Sequence, residues 1–407
     1  MSVQRVVILG AGLAGAKAAE ALREFGFEGE VVLIGEEHDL PYERPPLSKD
    51  YLMGRKTRED SRVHPPAWYE ENRIDLRLGV RANAVNREVG IVELDDGETV
   101  SYDRLVLATG SRPRVPDFPG ASADAVHYLR RLGDTERLRE LFGRAERLIV
   151  VGAGWIGLEV AAAARDADVQ VVVVEPRPVP LLGALGPEMG AVFADLHRRN
   201  GVELRLGVDV DGISVRDGRA HAVELSDGSE VSGDAVLVAV GAQPNLELAS
   251  GCGLAVDGGV LTDAGLITSD PNVAAVGDIA AAEHPVLGRR IRVEHWANAL
   301  KQPAVAVQNL LGQPAEYRDL PYFFTDQYDL GMEYVGAVTP GGHAQLVTRG
   351  DVDSGEFVAF WLEQDRVVAG MNVNVWDVVD DVKALILSGR AVSRQRLADP
   401  GVPLGEV

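Results

Sequence analysis

A chain of 407 residues, 46% hydrophobic and 25% charged, has the make-up of a globular protein of two or three domains, each with a core of its own. Its formal charge of −22 sets long-range repulsion against nucleic acid and anionic membranes, and no apolar run approaches the roughly 18 residues of a membrane helix. Its one cysteine, Cys252, excludes an internal disulfide and a redox dithiol, fits a reducing cytoplasmic setting, and reads as structural in a loop between Gly251 and Gly253.

The first readable element is RVVILGAGLAG, residues 5–15. Its apolar start has the look of a signal peptide only until residues 16–25, where Lys17, Glu20, Arg23 and Glu24 mark an amphipathic helix. Strand, glycine turn and helix are the context in which GAGLAG (10–15) reads as a dinucleotide cradle. Gly10 permits the tight turn, Gly12 lets a pyrophosphate approach the backbone, and Gly15 lets helix and strand pack closely, with Leu13 and Ala14 between them. The helix start offers phosphate free N–H groups and partial positive charge. A short β-branched run, 30–35, is the next parallel strand, and Glu36 after it is placed to accept from a ribose hydroxyl.

The pattern then repeats. RLIVVGAGWIG (147–157) answers residues 5–15, and ELDDGETVSYDRLVLATGSRPR (93–114) aligns without a gap with ELSDGSEVSGDAVLVAVGAQPN (224–245). Two copies of one nucleotide-binding unit account for this, each a doubly wound α/β sheet. In the second cradle Gly152, Gly154 and Gly157 take the roles of Gly10, Gly12 and Gly15, with Trp155 and Ile156 between them. The strand 169–175 ends in Glu175, where a carboxylate holds the ribose of NAD and repels a 2′-phosphate. NADH is thus favoured over NADPH, with Arg177 two residues on as the opposing feature. Trp155 reads first as a packing residue and second as part of a nicotinamide channel. Ala108, Thr109 and Gly110 end a strand at the carboxyl edge of the first sheet, with Gly241 the counterpart of Gly110.

Residues 246–318 return to a mixed pattern containing VGDIA (276–280), where Gly277 allows close approach and Asp278 supplies an acid. From Leu320 the texture changes: 322–338 and 356–375 read as strands and 378–388 as a helix. The expected division is residues 1–115 with 246–318 as one nucleotide domain, 116–245 as the other, and 319–407 as a C-terminal α+β domain.

The run LPYERPPLSKDYL (40–52), with LVLATGSRPR (105–114), YLRRLGD (128–134), GAGWIGLEVA (152–161), VGDIA, WANALKQ (296–302) and FFTDQYDL (323–330), resembles the bacterial rubredoxin and ferredoxin reductase family over nearly the whole chain. That resemblance implies a glutathione-reductase-like fold with FAD in the first cradle and NADH in the second. It implies a FAD pocket using Ala14, Glu36, Lys49, Ala82, Thr109, Arg130, Asp278 and Trp296, with Arg44 in the same signature. It also implies that Asp278 binds the ribityl chain, and that Lys49 and Glu159 form an ion pair beside the flavin, the glutamate orienting the nicotinamide amide. Pro45 and Pro46 stiffen the segment that carries Lys49, and the helix expected near Trp296 would turn its positive end toward the reduced ring. Lys49, Glu159 and Trp296 are the candidate catalytic set; His295 is given no role.

Hydride would pass from nicotinamide to flavin. With no redox cysteine, electrons must leave to an external acceptor, which in the family is a [2Fe-2S] ferredoxin serving a cytochrome P450 or a ring-hydroxylating oxygenase. An acidic ferredoxin needs a basic rim, for which charge and position single out Arg44, Lys301, Lys383, Arg390 and Arg394. A peroxidase, oxidase or disulfide reductase would need a cysteine in LSKDY (47–51), where Ser48 stands instead. A monodehydroascorbate- or quinone-type reductase and a switch resembling apoptosis-inducing factor are the remaining alternatives; the second is disfavoured by the acidic charge. Composition leaves the oligomeric state open.

Overall fold

The computed structural model describes residues 3–339 and 344–407. Two five-stranded parallel sheets are built alike. The order in one is Val273–Ala275, Arg104–Leu107, Arg5–Leu9, Glu30–Gly35, Ile74–Leu78; in the other it is Val126–His127, Ala235–Val238, Arg147–Val151, Gln170–Glu175, Glu203–Leu206. Both central strands are β-branched, flanked on each face by other elements and fully buried, as the apolar runs VVIL and LIVV require. Each sheet carries a three-stranded antiparallel flap, Ala82–Asn86 to Thr99–Ser101 and Val210–Arg216 to Glu230–Ser232.

The repeat in sequence is a repeat in contacts. Asp103 Oδ2 accepts from the backbone N–H groups of Gln4 and Arg5 at 2.7 and 2.9 Å, and its counterpart Asp234 accepts from Glu146 and Arg147 at 2.8 and 2.9 Å. An aspartate in each copy thus ties the entry of the first strand to that of the fourth. The copies touch through a two-stranded ribbon in which Ser111–Pro113 pairs antiparallel with Ala242–Pro244.

Four helices position the site. Helix α1 is Leu13–Glu24, α2 is Trp155–Asp166, α3 is Leu182–Arg199 and α4 is Trp296–Leu310. Alanines on the inner faces of α1 and α2 let them lie close on their sheets. α1 begins three residues earlier than the amphipathic stretch, because the glycine turn is already its first turn.

The C-terminal domain is a five-stranded antiparallel sheet in the order Tyr322–Gln327, Leu330–Gly336, Arg366–Val373, Glu356–Glu363, Gln345–Asp351, covered by the helix Val379–Ser388. The two long runs expected as strands are each a hairpin. They break at Tyr328 (φ 57°) and at Gln364 and Asp365 (φ 52° and 60°), left-handed positions that a tight turn demands. Strand Gln345–Asp351 gives no sequence signal, since it is a half-buried edge without alternation. One apolar core runs through Leu47, Leu52, Leu148, Phe193, Met332 and Trp361, joining the segment beside the first cradle to the second nucleotide domain and the C-terminal sheet. Truncating a ring as buried as Phe193 costs about 3–5 kcal/mol.

Candidate active site

The glycines of each cradle divide into two kinds. A Cβ on Gly10 (φ 114°) would stand 2.1 Å from the Ala108 carbonyl oxygen, and one on Gly15 would stand 1.9 Å from that of Gly10, whereas one on Gly12 meets nothing within 4 Å. The second cradle repeats this: Gly152 would strike Ala239, Gly157 would strike Gly152, and Gly154 faces open space. Gly10 and Gly15 are therefore demanded by the protein's own packing, whereas nothing in the chain demands a glycine at Gly12, whose open side a ligand can approach. Neither helix start has a side-chain cap, so the N–H groups of α1 and α2 at Leu13, Ala14 and Ile156 are left for an anion.

Around the first cradle the polar groups converge. Arg130 donates to Asp278 Oδ2 at 2.8 Å, and Ser111 Oγ donates to the same oxygen at 2.5 Å. Burial would raise the Asp278 carboxyl, but Arg130, the Ser111 hydroxyl and Arg44 outweigh it and hold the carboxyl below its usual range. Gly277 (φ 73°) leaves 3.2 Å between the place of a Cβ and Ala14 Cβ, so VGDIA lies directly on the start of α1. Thr109 and Asn245 exchange bonds of 2.8 Å, Thr109 Oγ1 donating to the Asn245 carbonyl and Asn245 Nδ2 to the Thr109 carbonyl. Arg131 pairs with the half-exposed Glu36. Three buried groups in this region, Arg130 Nε, Trp296 Nε1 and His295 Nδ1, have no hydrogen-bond partner among the described residues. Burial takes His295 down to about 4.

Beside them lies a buried ion pair. The 3-10 turn Pro45–Ser48 delivers Lys49, whose Nζ is 3.0 Å from Glu159 Oε1 and 4.7 Å from the centre of the Phe324 ring. Glu159 lies one turn into α2, its carboxylate also accepting from Ser48 Oγ at 2.5 Å and Thr325 Oγ1 at 2.6 Å. Both side chains are nearly excluded from water.

At the second cradle, Glu175 is tied back to the chain. Oε2 accepts from the N–H of Ala153 at 2.8 Å and Oε1 from that of Arg177 at 3.1 Å. Trp155 is half-buried against Phe193 and Phe323, with ring centres 5.7 and 4.9 Å away, and also lines a cavity with His295. Ile156 is exposed, and Gly241 (φ 110°) faces open space. Ala82 begins its flap opposite Leu94, packed against the core of the first sheet.

Of the residues singled out for a basic rim, Arg44 alone leaves the surface. Arg44 is turned inward, pairing with Glu37 at 3.0 Å and donating to the Arg130 carbonyl. Lys301 pairs with Asp319, Lys383 with Asp380 and Arg394 with Asp365, while Arg390 holds the Gly405 carbonyl. Each of these cations is engaged within the chain, because acidic residues outnumber basic ones by 62 to 40 and supply partners everywhere. Cys252 is half-buried at the end of a short helix, and burial pushes its thiol up, which suits an inert residue. Ser111, Asn245 and Thr325 were missed. Each is a small polar residue without a motif of its own, legible only through its place in FFTDQYDL or at the ends of the repeat.

The residues present fit two dinucleotides. Open glycines and uncapped helix starts suit pyrophosphates, and the partnerless Arg130 Nε and Trp296 Nε1 are buried donors that need an acceptor from outside. The fold and this site define a flavoprotein oxidoreductase with two nucleotide domains. Residues 4–303 match the pyridine nucleotide-disulphide oxidoreductase family and residues 322–407 the reductase C-terminal family. The ferredoxin–NAD(+) reductase component of an anthranilate 1,2-dioxygenase system from Burkholderia cepacia is 42% identical over 99% of both chains. Rhodocoxin reductase from Rhodococcus erythropolis is 40% identical over 91% of this chain and 86% of its own. The crystal structure of a covalent putidaredoxin reductase–putidaredoxin complex matches with a TM-score of 0.95 and 36% identity, covering 100% of this chain and 98% of that one. The chain belongs to the pyridine nucleotide-disulphide oxidoreductase family, and is an FAD enzyme that uses a nicotinamide dinucleotide.

Proposed function

We propose that this chain is an NADH-dependent ferredoxin reductase that feeds a cytochrome P450 or a ring-hydroxylating oxygenase through a [2Fe-2S] ferredoxin in the cytoplasm. The observation that carries it is the Lys49–Glu159 pair, with Ser48 beside it where a disulfide reductase or peroxidase needs a cysteine. Bound FAD would supply acceptance of a hydride from the nicotinamide and release of single electrons. The chain itself supplies position and charge. Gly12 and the start of α1 take the FAD pyrophosphate, and Asp278, Arg130 and Trp296 bond its polar groups. Lys49 places a fixed positive charge where negative charge arrives. Glu159 holds Lys49 and orients the carboxamide of the nicotinamide. Gly154 and the start of α2 take the pyrophosphate of NADH, and Glu175 its ribose.

In this reading residues 1–115 with 246–318 form the FAD domain, 116–245 the NADH domain and 319–407 the C-terminal α+β domain. The pairing of Val273–Ala275 with Arg104–Leu107 supports counting 246–318 with the first unit. The names of the relatives support the acceptor: an anthranilate dioxygenase system in one case, a complex with putidaredoxin in another.

The test is anaerobic stopped-flow reduction of the FAD by NADH, followed by steady-state cytochrome c reduction with and without added [2Fe-2S] proteins from the same cell. Fast reduction and turnover that depends on a ferredoxin are expected. Slow reduction, or equal turnover with a quinone and no ferredoxin, would overturn the proposal.

A further inference from the structure

Glu159 is the end point of a chain of hydrogen bonds that leaves the cofactor region altogether. Tyr328 OH bonds His197 Nδ1 at 3.1 Å, His197 Nε2 bonds Gln327 Oε1 at 2.8 Å, Gln327 Nε2 donates to Thr325 Oγ1 at 3.1 Å, and Thr325 Oγ1 donates to Glu159 Oε1 at 2.6 Å. Thr325, Gln327 and His197 are essentially without exposure to water.

The chemistry of each group fixes the direction of the chain. A carboxylate only accepts, so the Thr325 hydroxyl must donate to it. The amide N–H of Gln327 occupies the oxygen of Thr325, which leaves the hydroxyl hydrogen no other acceptor. Gln327 Oε1 then requires N–H at His197 Nε2, and the neutral ring presents Nδ1 as an acceptor to Tyr328. Every donor points toward Glu159, an arrangement in which successive bonds polarise one another.

The scaffold explains how the links meet. Phe323, Thr325 and Gln327 alternate along one strand and so share a face. They touch Trp155 and Glu159, four residues apart on α2, and His197 on α3. The strand belongs to the C-terminal sheet and the helices to the second nucleotide domain, while Lys49 and Ser48 reach Glu159 from the third side.

We propose that Thr325 is a positioning residue for Glu159, its hydroxyl held in the donating orientation by Gln327, His197 and Tyr328, so that the carboxylate presents one geometry to the nicotinamide. This rests on the reading that Glu159 acts on the nicotinamide. Without the Thr325 hydroxyl, Oε1 keeps only the long and flexible Lys49 and Oε2 only Ser48, so the carboxylate is held less firmly on the Oε1 side, and a misplacement on the order of 1 Å is costly in hydride transfer.

The test compares the holoenzyme with Thr325→Val, Thr325→Ser, Tyr328→Phe and Glu159→Gln. Calorimetric titration with NAD+ and with ADP-ribose, which lacks the nicotinamide, gives a binding readout independent of turnover; stopped-flow reduction at saturating NADH gives the rate. For Thr325→Val we expect NAD+ binding weakened about threefold, ADP-ribose binding unchanged, and reduction slowed roughly tenfold. Thr325→Ser should return both to within about twofold, and Tyr328→Phe should show the same pattern with a smaller effect. If Thr325→Val matches the parent while Glu159→Gln is impaired, the positioning inference fails alone. If Glu159→Gln also matches the parent, the role given to Glu159 fails with it. Equal loss of ADP-ribose and NAD+ binding in Thr325→Val, unrescued by serine, would mean a structural role and also overturn the inference.

Discussion

Arg130 and Asp278, 148 residues apart in the chain, meet at 2.8 Å beside the first cradle, yet the guanidinium keeps one buried N–H without a partner. The pair is thus complete as an ion pair and incomplete as a hydrogen-bonding site. Such a group stays in a folded protein when a bound molecule supplies the missing acceptor.

Removing Asp278 should therefore act on the cofactor first. Asp278→Ala leaves Arg130 buried beside Arg44 with no counter-charge, and the purified protein should carry several-fold less FAD, on the order of a tenth of the parent's content. The ratio of flavin to protein absorbance measures this. Retention of full flavin content would remove Asp278 from the pocket.

The two kinds of glycine should separate in the same way. Gly12→Ala adds a methyl where no protein atom lies within 4 Å, so the apoprotein should melt within a degree or two of the parent while FAD affinity falls. Gly15→Ala puts a Cβ 1.9 Å from the Gly10 carbonyl oxygen and should lower the melting temperature itself. Differential scanning calorimetry of apoprotein and holoprotein distinguishes the two, and an equal loss of apoprotein stability in both variants would contradict the assignment.

The ion pair predicts a stability change that reverses. Lys49→Met leaves the Glu159 carboxylate buried without its counter-ion, at a cost of about 3–5 kcal/mol. Adding Glu159→Gln neutralises that charge, its amide oxygen accepting from one of the Ser48 and Thr325 hydroxyls and its N–H donating to the other, and should recover most of the loss in urea denaturation. Reduction of the flavin by NADH should stay slow in both. Recovery of the rate together with the stability would argue for a purely structural pair.

His197 gives a prediction in pH. Burial takes its ring from 6.5 down to about 4, with Gln327 only partly opposing this. The unfolded chain therefore takes up the proton first. The contribution to stability is whole above pH 6.5 and is lost as pH falls toward 4, at up to about 1.4 kcal/mol per pH unit. His197→Asn should flatten that dependence by about one proton between pH 6.5 and 4.5, read from urea midpoints; an unchanged slope would place the proton uptake elsewhere.

The nucleotide domains were legible because phosphate binding leaves its mark locally. Strand, glycines and helix are adjacent in sequence, and duplication wrote the pattern twice, down to Asp103 and Asp234. Lys49, Glu159 and Asp278 came through a family resemblance, since nothing in the spacing of residues 49, 159 and 278 says that they lie near one another. Thr325 stood inside the quoted run FFTDQYDL without a role, and His197 was not legible at all. Their use depends on a strand of one domain lying across two helices of another, a relation that no window of sequence contains. The basic rim shows the opposite limit: charge is visible in sequence, but the pairing of Lys301, Lys383 and Arg394 with Asp319, Asp380 and Asp365 is a fact of three dimensions.

The ribbon between the two copies has a symmetry of its own. Its central pair, Arg112 and Gln243, occupies equivalent positions of the repeat, and the flanking pairs, Ser111 with Pro244 and Pro113 with Ala242, exchange when the copies are exchanged. The contact is self-complementary, the form taken by the interface of a twofold dimer. Three residue pairs are far too few to hold separate chains together, but a peptide connection raises the effective concentration of one half about the other to roughly millimolar. A seam that would be negligible between free subunits can in this way set the spacing of two nucleotide sites within a single polypeptide.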